Sequence, residues 1–199
     1  MNSSSSLDLD IDFAGVVTRD VGAVMAPAGF QYYRSGARSV IFQSDVAEIE
    51  VYRGLHSSEI GLYALCLNRP DRTFSLSELL LFWNHPDADT YRNFAAHDSQ
   101  LILIGIQRLC VLLSDLLSLG MKFDQISCSG LLHQQRRLAQ TMASSVRNEQ
   151  ARRAASVAWA RKDYAGVILA LTNVQGPLTV LELRKLEYAR KQCPSPRSQ

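Results

Sequence analysis

The sequence predicts an α+β fold, with an N-terminal helix on a small antiparallel sheet followed by a helical C-terminal half. Three observations carry it. Apolar residues recur at helical spacing from Leu9 to Met25, at a spacing of two between Phe30 and Asn68, and at helical spacing again beyond Asp71. The links between the alternating runs are short, which favours antiparallel neighbours because parallel strands need a long crossover. At 199 residues the chain has the length of one domain. The reading is a single domain over 1–199: about 1–70 as helix plus sheet, about 71–193 as the helical half, and 194–199 as a loose tail.

The first helix is carried by Ile11, Phe13, Val16, Val17, Val21, Val24 and Met25 and ended by Pro27 and Gly29. Asp8, Asp10 and Asp12 crowd its start, where acids complement exposed amide donors, and this gives them a structural role in place of a metal site. Strands are expected at 31–34, 39–43, 47–52 and 59–67. In the third, Ala47, Ile49 and Val51 point one way while Glu48, Glu50 and Tyr52 point the other. One sheet face therefore suits a core and the other meets water, with the first helix as the expected cover of the apolar face.

Ser75 and Glu78 have capping-box spacing ahead of the apolar run Leu79 to Trp83, so a short buried helix is expected, interrupted by Pro86. A longer helix is expected from about Asp89 to Leu119, stopped by Gly120. A third should begin near Ser129, with Leu131, Leu132, Leu138, Met142 and Val146 as its stripe, and run to Trp159. Two shorter helices, Tyr164 to about Val174 and Thr179 to about Gln192, close the chain, the last opened by a second capping pair, Thr179 and Glu182.

With 47% apolar and 20% charged residues, the composition excludes wholesale disorder. The most apolar stretch, Leu101 to Leu119, is interrupted by Gln107, Arg108, Ser114 and Asp115, so no membrane span is expected. Met1 to Ser6 lacks a basic patch and apolar block, so no secretory signal is expected. Cys66, Cys110, Cys128 and Cys193 lie far apart with no CxxC, which reads as reduced thiols and a cytoplasmic location. The net charge of +2 hides a division: 8 Lys and Arg against 14 Asp and Glu over 1–119, and 13 against 5 over 120–199.

Little in the chain suggests reactive chemistry. His56, His85, His97 and His133 are scattered, with no HExxH pair and none three or four positions from another His or Cys, so no metal ligands are expected. His85, before Pro86, reads as part of a turn. GxxxxGK[ST], GxGxxG and GxSxG patterns are absent, and nothing marks a base for Cys128. The expectation is a non-enzyme without cofactor, metal or catalytic residues. Seven basic residues between Arg136 and Lys162 face only Glu149, but Trp159 is the sole aromatic among them. They read as a solvated helix face, and direct nucleic-acid binding is not expected.

The C-terminal segment runs Ala154-Ala-Ser-Val-Ala-Trp159, Lys162-Asp-Tyr164, Val167-Ile168, Leu171, Leu178-Thr-x-x-Glu182 and Lys185-Leu-x-Tyr-Ala-Arg-Lys191. It resembles the closing pattern of bacterial immunity proteins from polymorphic-toxin loci of contact-dependent or type VI secretion. The resemblance covers about a fifth of the chain and is a packing pattern; its Lys-Asp-Tyr portion is also similar to half of a tetratricopeptide unit. It implies a protein that neutralises a cognate toxin by occluding or distorting its active site. Trp159, Tyr164 and Leu171 themselves read as a seal between the last helices.

Many such toxins carry basic substrate grooves, for which an acidic surface is the natural complement. The expected partner-binding residues are Glu48, Glu50, Glu59 and Asp71 in the acidic N-terminal half. Two rivals remain: a helical adaptor binding a peptide or protein partner, and an enzyme whose residues gather only in three dimensions.

Overall fold

The computed structural model describes residues 11–193. The expected helical start at Leu9, the acids Asp8 and Asp10, and the tail from Pro194 lie outside the described residues. The fold is α+β, and the described residues divide into two compact units, one up to Gln134 and one from Gln135. The divide falls well beyond residue 70 because the first helices after the sheet share the sheet's core, to which Leu79, Leu109 and Leu131 all belong.

In the first unit, α1 (Phe13–Met25) opens on Asp12, whose carboxylate accepts from Gly15 N at 2.9 Å. A 3-10 turn at Ala26–Ala28 carries Pro27, and Gly29 at φ +84° closes it in a conformation that side chains resist. Five strands follow: β1 (Gln31–Ser35), β2 (Ser39–Gln43), β3 (Ala47–Arg53), β4 (Glu59–Cys66) and β5 (Thr73–Ser75). They pair antiparallel in sequence order, and a two-residue β6 (Phe94–Ala95) joins β4. A register shift between Tyr32 and Arg34 marks a bulge in the exposed edge strand β1.

The alternation read from the sequence sorts the faces. Val40, Phe42, Ile49, Val51, Ile60 and Leu62 are buried in one core with Val17, Val21 and Met25 of α1. A Cβ on Gly22 would lie 3.3 Å from the Phe42 ring, so helix and strand meet closely there.

The capping box forms as expected. Ser75 N donates to Glu78 Oε2 at 2.8 Å and Glu78 N to Ser75 Oγ at 3.4 Å, starting α2 (Leu76–Phe82). The helix expected from Asp89 instead starts ten residues later, as α3 (Ser99–Ser118). Asp98 caps it by accepting from Leu101 N at 2.7 Å, while Phe94–Ala95 are drawn into backbone pairing with Glu59–Ile60. By length and composition α3, with a mean hydropathy of 1.8, would also suit a membrane span. Its Ile102, Ile106, Leu109 and Leu113 are buried in the unit's core.

After Asp124, whose carboxylate accepts from Ser127 N at 2.7 Å, α4 (Gln125–Ala160) begins. A disulfide joins Cys66, at the end of β4, to Cys128 in the first turn of α4. The expectation of four reduced thiols is thereby corrected: only Cys110 and Cys193 are free. Residues 62 positions apart leave no spacing signal, and it is the strand–helix packing that brings the two sulfurs together.

The second unit holds the C-terminal part of α4 with α5 (Tyr164–Thr172) and α6 (Val180–Gln192). Ala155, Val167, Leu171, Leu186 and Ala189 form its core. The rings of Trp159, Tyr164 and Tyr188 meet edge to face at 5.6–6.1 Å. Asn148 holds the α5–α6 connection at both backbone groups of Gln175: its Nδ2 donates to the carbonyl at 2.7 Å, and its Oδ1 accepts from the amide at 2.6 Å. Arg152 adds bonds to Glu182 Oε1 at 2.8 Å and to the Pro177 carbonyl at 3.2 Å. The capping pair forms here too, with Thr179 N donating to Glu182 Oε2 at 2.7 Å.

Candidate functional site

The side of the sheet turned away from the core gathers most of the acids singled out in the sequence. In β3 the core takes Ala47, Ile49 and Val51, so pleating sends Glu48, Glu50 and Tyr52 outward. Register then fixes their neighbours. Glu48 lies between Gln43 and Leu65, Glu50 between Ile41 and Tyr63, and Tyr52 between Ser39 and Gly61. Gln43 Nε2 donates to Glu48 Oε1 at 3.3 Å, which holds that carboxylate on the face. Glu59 shares the outward parity of Gly61 and Tyr63 on β4 and sits opposite Ala95 of β6. It stands about 13 Å along the strand from Tyr63, at roughly 3.3 Å per residue.

Asp71 belongs to none of the paired strands. It lies on the exposed turn between β4 and β5, with Arg72 Nε 3.6 Å from its Oδ2.

Between the glutamates lies a feature the sequence reading missed. The rings of Tyr52 and Tyr63 stack with centroids 4.7 Å apart and planes within 8°. Tyr52 lies across Gly61, where an added Cβ would come within 2.3 Å of the Tyr52 hydroxyl oxygen; the glycine makes room for the ring. The signal was available as a tyrosine opposite a glycine on paired strands, but it needs the register to be seen. A polar chain continues from it. Asn93 Nδ2 donates to Tyr52 Oη at 3.5 Å, and Tyr91 Oη donates to Asn93 Oδ1 at 3.1 Å.

Burial, with the Tyr63 hydroxyl and the Glu59 charge adding, holds the Tyr52 phenol well above the ordinary range. Burial and then Glu59 push Tyr91 up to about 12. Both are neutral hydrogen-bonding groups at physiological pH. The face is acidic along β3 and β4 and turns basic at its β1 edge, where Arg34 lies opposite Ile41 and 5.5 Å from the Tyr33 ring centroid.

No family model, curated protein or solved structure matches this chain.

Among the described residues no group of three or more His, Cys, Asp or Glu is placed to hold a metal ion. His85 sits in the turn after α2, largely buried, where its Nδ1 accepts from Asp87 N at 3.0 Å and its Nε2 lies 3.7 Å from Asp115 Oδ2. The sulfur of Cys128 is bonded to Cys66 and carries no thiol. In the arginine-rich stretch, Arg152 is spent on Glu182 and Pro177, Arg153 pairs with Glu149 one turn away, and Arg147 Nε donates to the Ala143 carbonyl at 3.2 Å.

Proposed function

We propose that this chain is an immunity-type protein that binds a cognate bacterial toxin and inhibits it by occluding or distorting the toxin's active site. The observation that carries the reading is the outer sheet face, where Glu48, Glu50 and Glu59 surround the Tyr52–Tyr63 stack. Tyrosine is enriched among residues that dominate protein interfaces, since it offers a large, stiff contact area with a polar tip. Acids placed around it speed encounter with a basic partner and reject acidic ones. The resemblance of the closing helices to immunity proteins supports the same reading. It takes α1 as the cover of the sheet's apolar side, supported by the core the two share, which leaves the acidic side for the partner. Because disulfides form and persist in oxidising surroundings, the Cys66–Cys128 bond favours a site of action there over the cytoplasm.

A helical adaptor is the second reading. It is favoured by Leu138, Met142 and Val146, spaced by four on α4 and exposed, Met142 to 71%.

Co-expression with a toxin domain encoded beside this chain tests the proposal. Rescue of growth and co-purification as a stable pair are expected. Glu48→Lys with Glu50→Lys should slow association about tenfold at low salt and flatten its salt dependence. Unchanged kinetics across salt concentrations would remove this face from the interface. Affinity for short peptides but for no folded domain would favour the adaptor.

A further inference from the structure

In the first unit an open cavity of about 780 Å³, lined mostly by solvent-exposed residues, lies between residues 87–95 and α3. That volume falls in the range of small-molecule sites, roughly 300–1,000 Å³. On the α3 side Ile104, Gln107, Arg108 and Val111 recur at three- and four-residue spacing, so one helix face forms the wall. Opposite stand Tyr91, Arg92, Asn93 and Phe94, with the Tyr91 and Phe94 rings edge to face at 5.7 Å. Buried Leu112 adds apolar lining.

We propose that this cavity binds an organic oxyanion, a carboxylate or phosphate group carried on an apolar body the size of one ring. Two guanidinium groups from separate elements line one space, and no carboxylate is paired with Arg92 or Arg108 among the described residues. Arg92 Nη1 donates to the Tyr91 carbonyl at 2.6 Å, which fixes the fork while leaving its other N–H groups for a ligand. Guanidinium forks match the oxygen spacing of carboxylates and phosphates, and two of them outweigh the single acid of the lining, Asp87. Asp87 is itself tied into a turn: its amide donates to His85 Nδ1 at 3.0 Å and its carbonyl accepts from Tyr91 N at 2.8 Å. The side-chain amide of Gln107 supplies a further donor. Tyr91, Phe94, Ile104 and Val111 give the rest of the ligand an apolar wall, so a bare ion would leave most of the cavity unused.

Calorimetric titration of the full chain with benzoate, phenyl phosphate, inorganic phosphate and benzyl alcohol tests this. Saturable binding of benzoate or phenyl phosphate is expected, and whichever binds more tightly identifies the oxyanion. Inorganic phosphate and benzyl alcohol, each carrying only half of the ligand, should bind at least tenfold more weakly. Arg108→Gln should weaken the better ligand at least tenfold. Val111→Glu, at a position 59% exposed and therefore tolerant of charge, should do the same with the melting temperature kept. No saturation at millimolar ligand, equal affinity for inorganic phosphate, or an Arg108→Gln variant that binds as the parent does would overturn the proposal. The proposal is independent of the toxin reading, since the assay needs no partner protein.

Discussion

Breaking the Cys66–Cys128 bond should remove a large part of the first unit's stability. The bond closes a loop of 62 residues between the end of β4 and the first turn of α4. The chain-entropy relation for a loop of that length gives about 4 kcal/mol at 25 °C, lost when the unfolded chain is no longer constrained. Urea unfolding of the same chain with and without a thiol reductant measures this without altering any side chain. With a slope of about 2 kcal/mol per molar, the midpoint should fall by about 2 M. Thiol counting in denaturant supplies the second readout: two of the four cysteines should react before reduction and all four after it. Four reactive thiols in the unreduced chain, or a midpoint that reductant does not move, would refute the reasoning.

Other perturbations follow from the same structure. Gly61→Ala would drive a Cβ into the Tyr52 ring, so the tyrosine stack should separate and the near-ultraviolet circular dichroism of the pair should change, at a stability cost of about 1–3 kcal/mol. Asn148→Ala deletes both bonds to the Gln175 backbone; a loss of about 1 kcal/mol is expected, with faster amide exchange at Gln175 as its signature. Glu182 is held below its ordinary value of 4.5, first by the Thr179 amide and further by the Thr179 side chain and Arg152. Its contribution is present above pH 4.5 and lost as acid is added through the lowered value, so Glu182→Gln should blunt the acid sensitivity of α6. Tyr91 works at the other end of the scale. Its raised value favours the fold below about pH 10 and is lost as pH rises through about 12, so Tyr91→Phe should reduce alkaline unfolding followed at 295 nm.

Much of the fold was legible because burial writes a period into the chain. Alternation in Ala47 to Tyr52 gave both the strand and the direction of its glutamates, and the two capping boxes located the starts of α2 and α6. Elements of two or three residues carry no period, which is why β5 and β6 went unseen. The same blindness lengthened α3: residues 89–98 could be taken as helix until strand pairing claimed Phe94–Ala95 and Asp98 capped the true start. Of the expected binding residues, Glu48 and Glu50 share a face by the parity of β3 and the β3–β4 pairing adds Glu59, whereas Asp71 sits in a turn, where parity says nothing. The tyrosine stack, the disulfide and the arginine-lined cavity all join distant positions: Tyr52 with Tyr63, Cys66 with Cys128, Arg92 with Arg108. Such meetings are products of register and packing, which no local pattern encodes.

Asn93 belongs to two neighbourhoods at once. Its amide oxygen is taken by Tyr91, which lines the cavity, and its nitrogen reaches Tyr52 on the sheet's outer face. A single side chain with its two ends committed in this way cannot turn for one neighbour without being felt by the other. Asn93 therefore marks where the wall of the cavity and the outer sheet face meet, and a substitution there alters the surroundings of both Tyr91 and Tyr52.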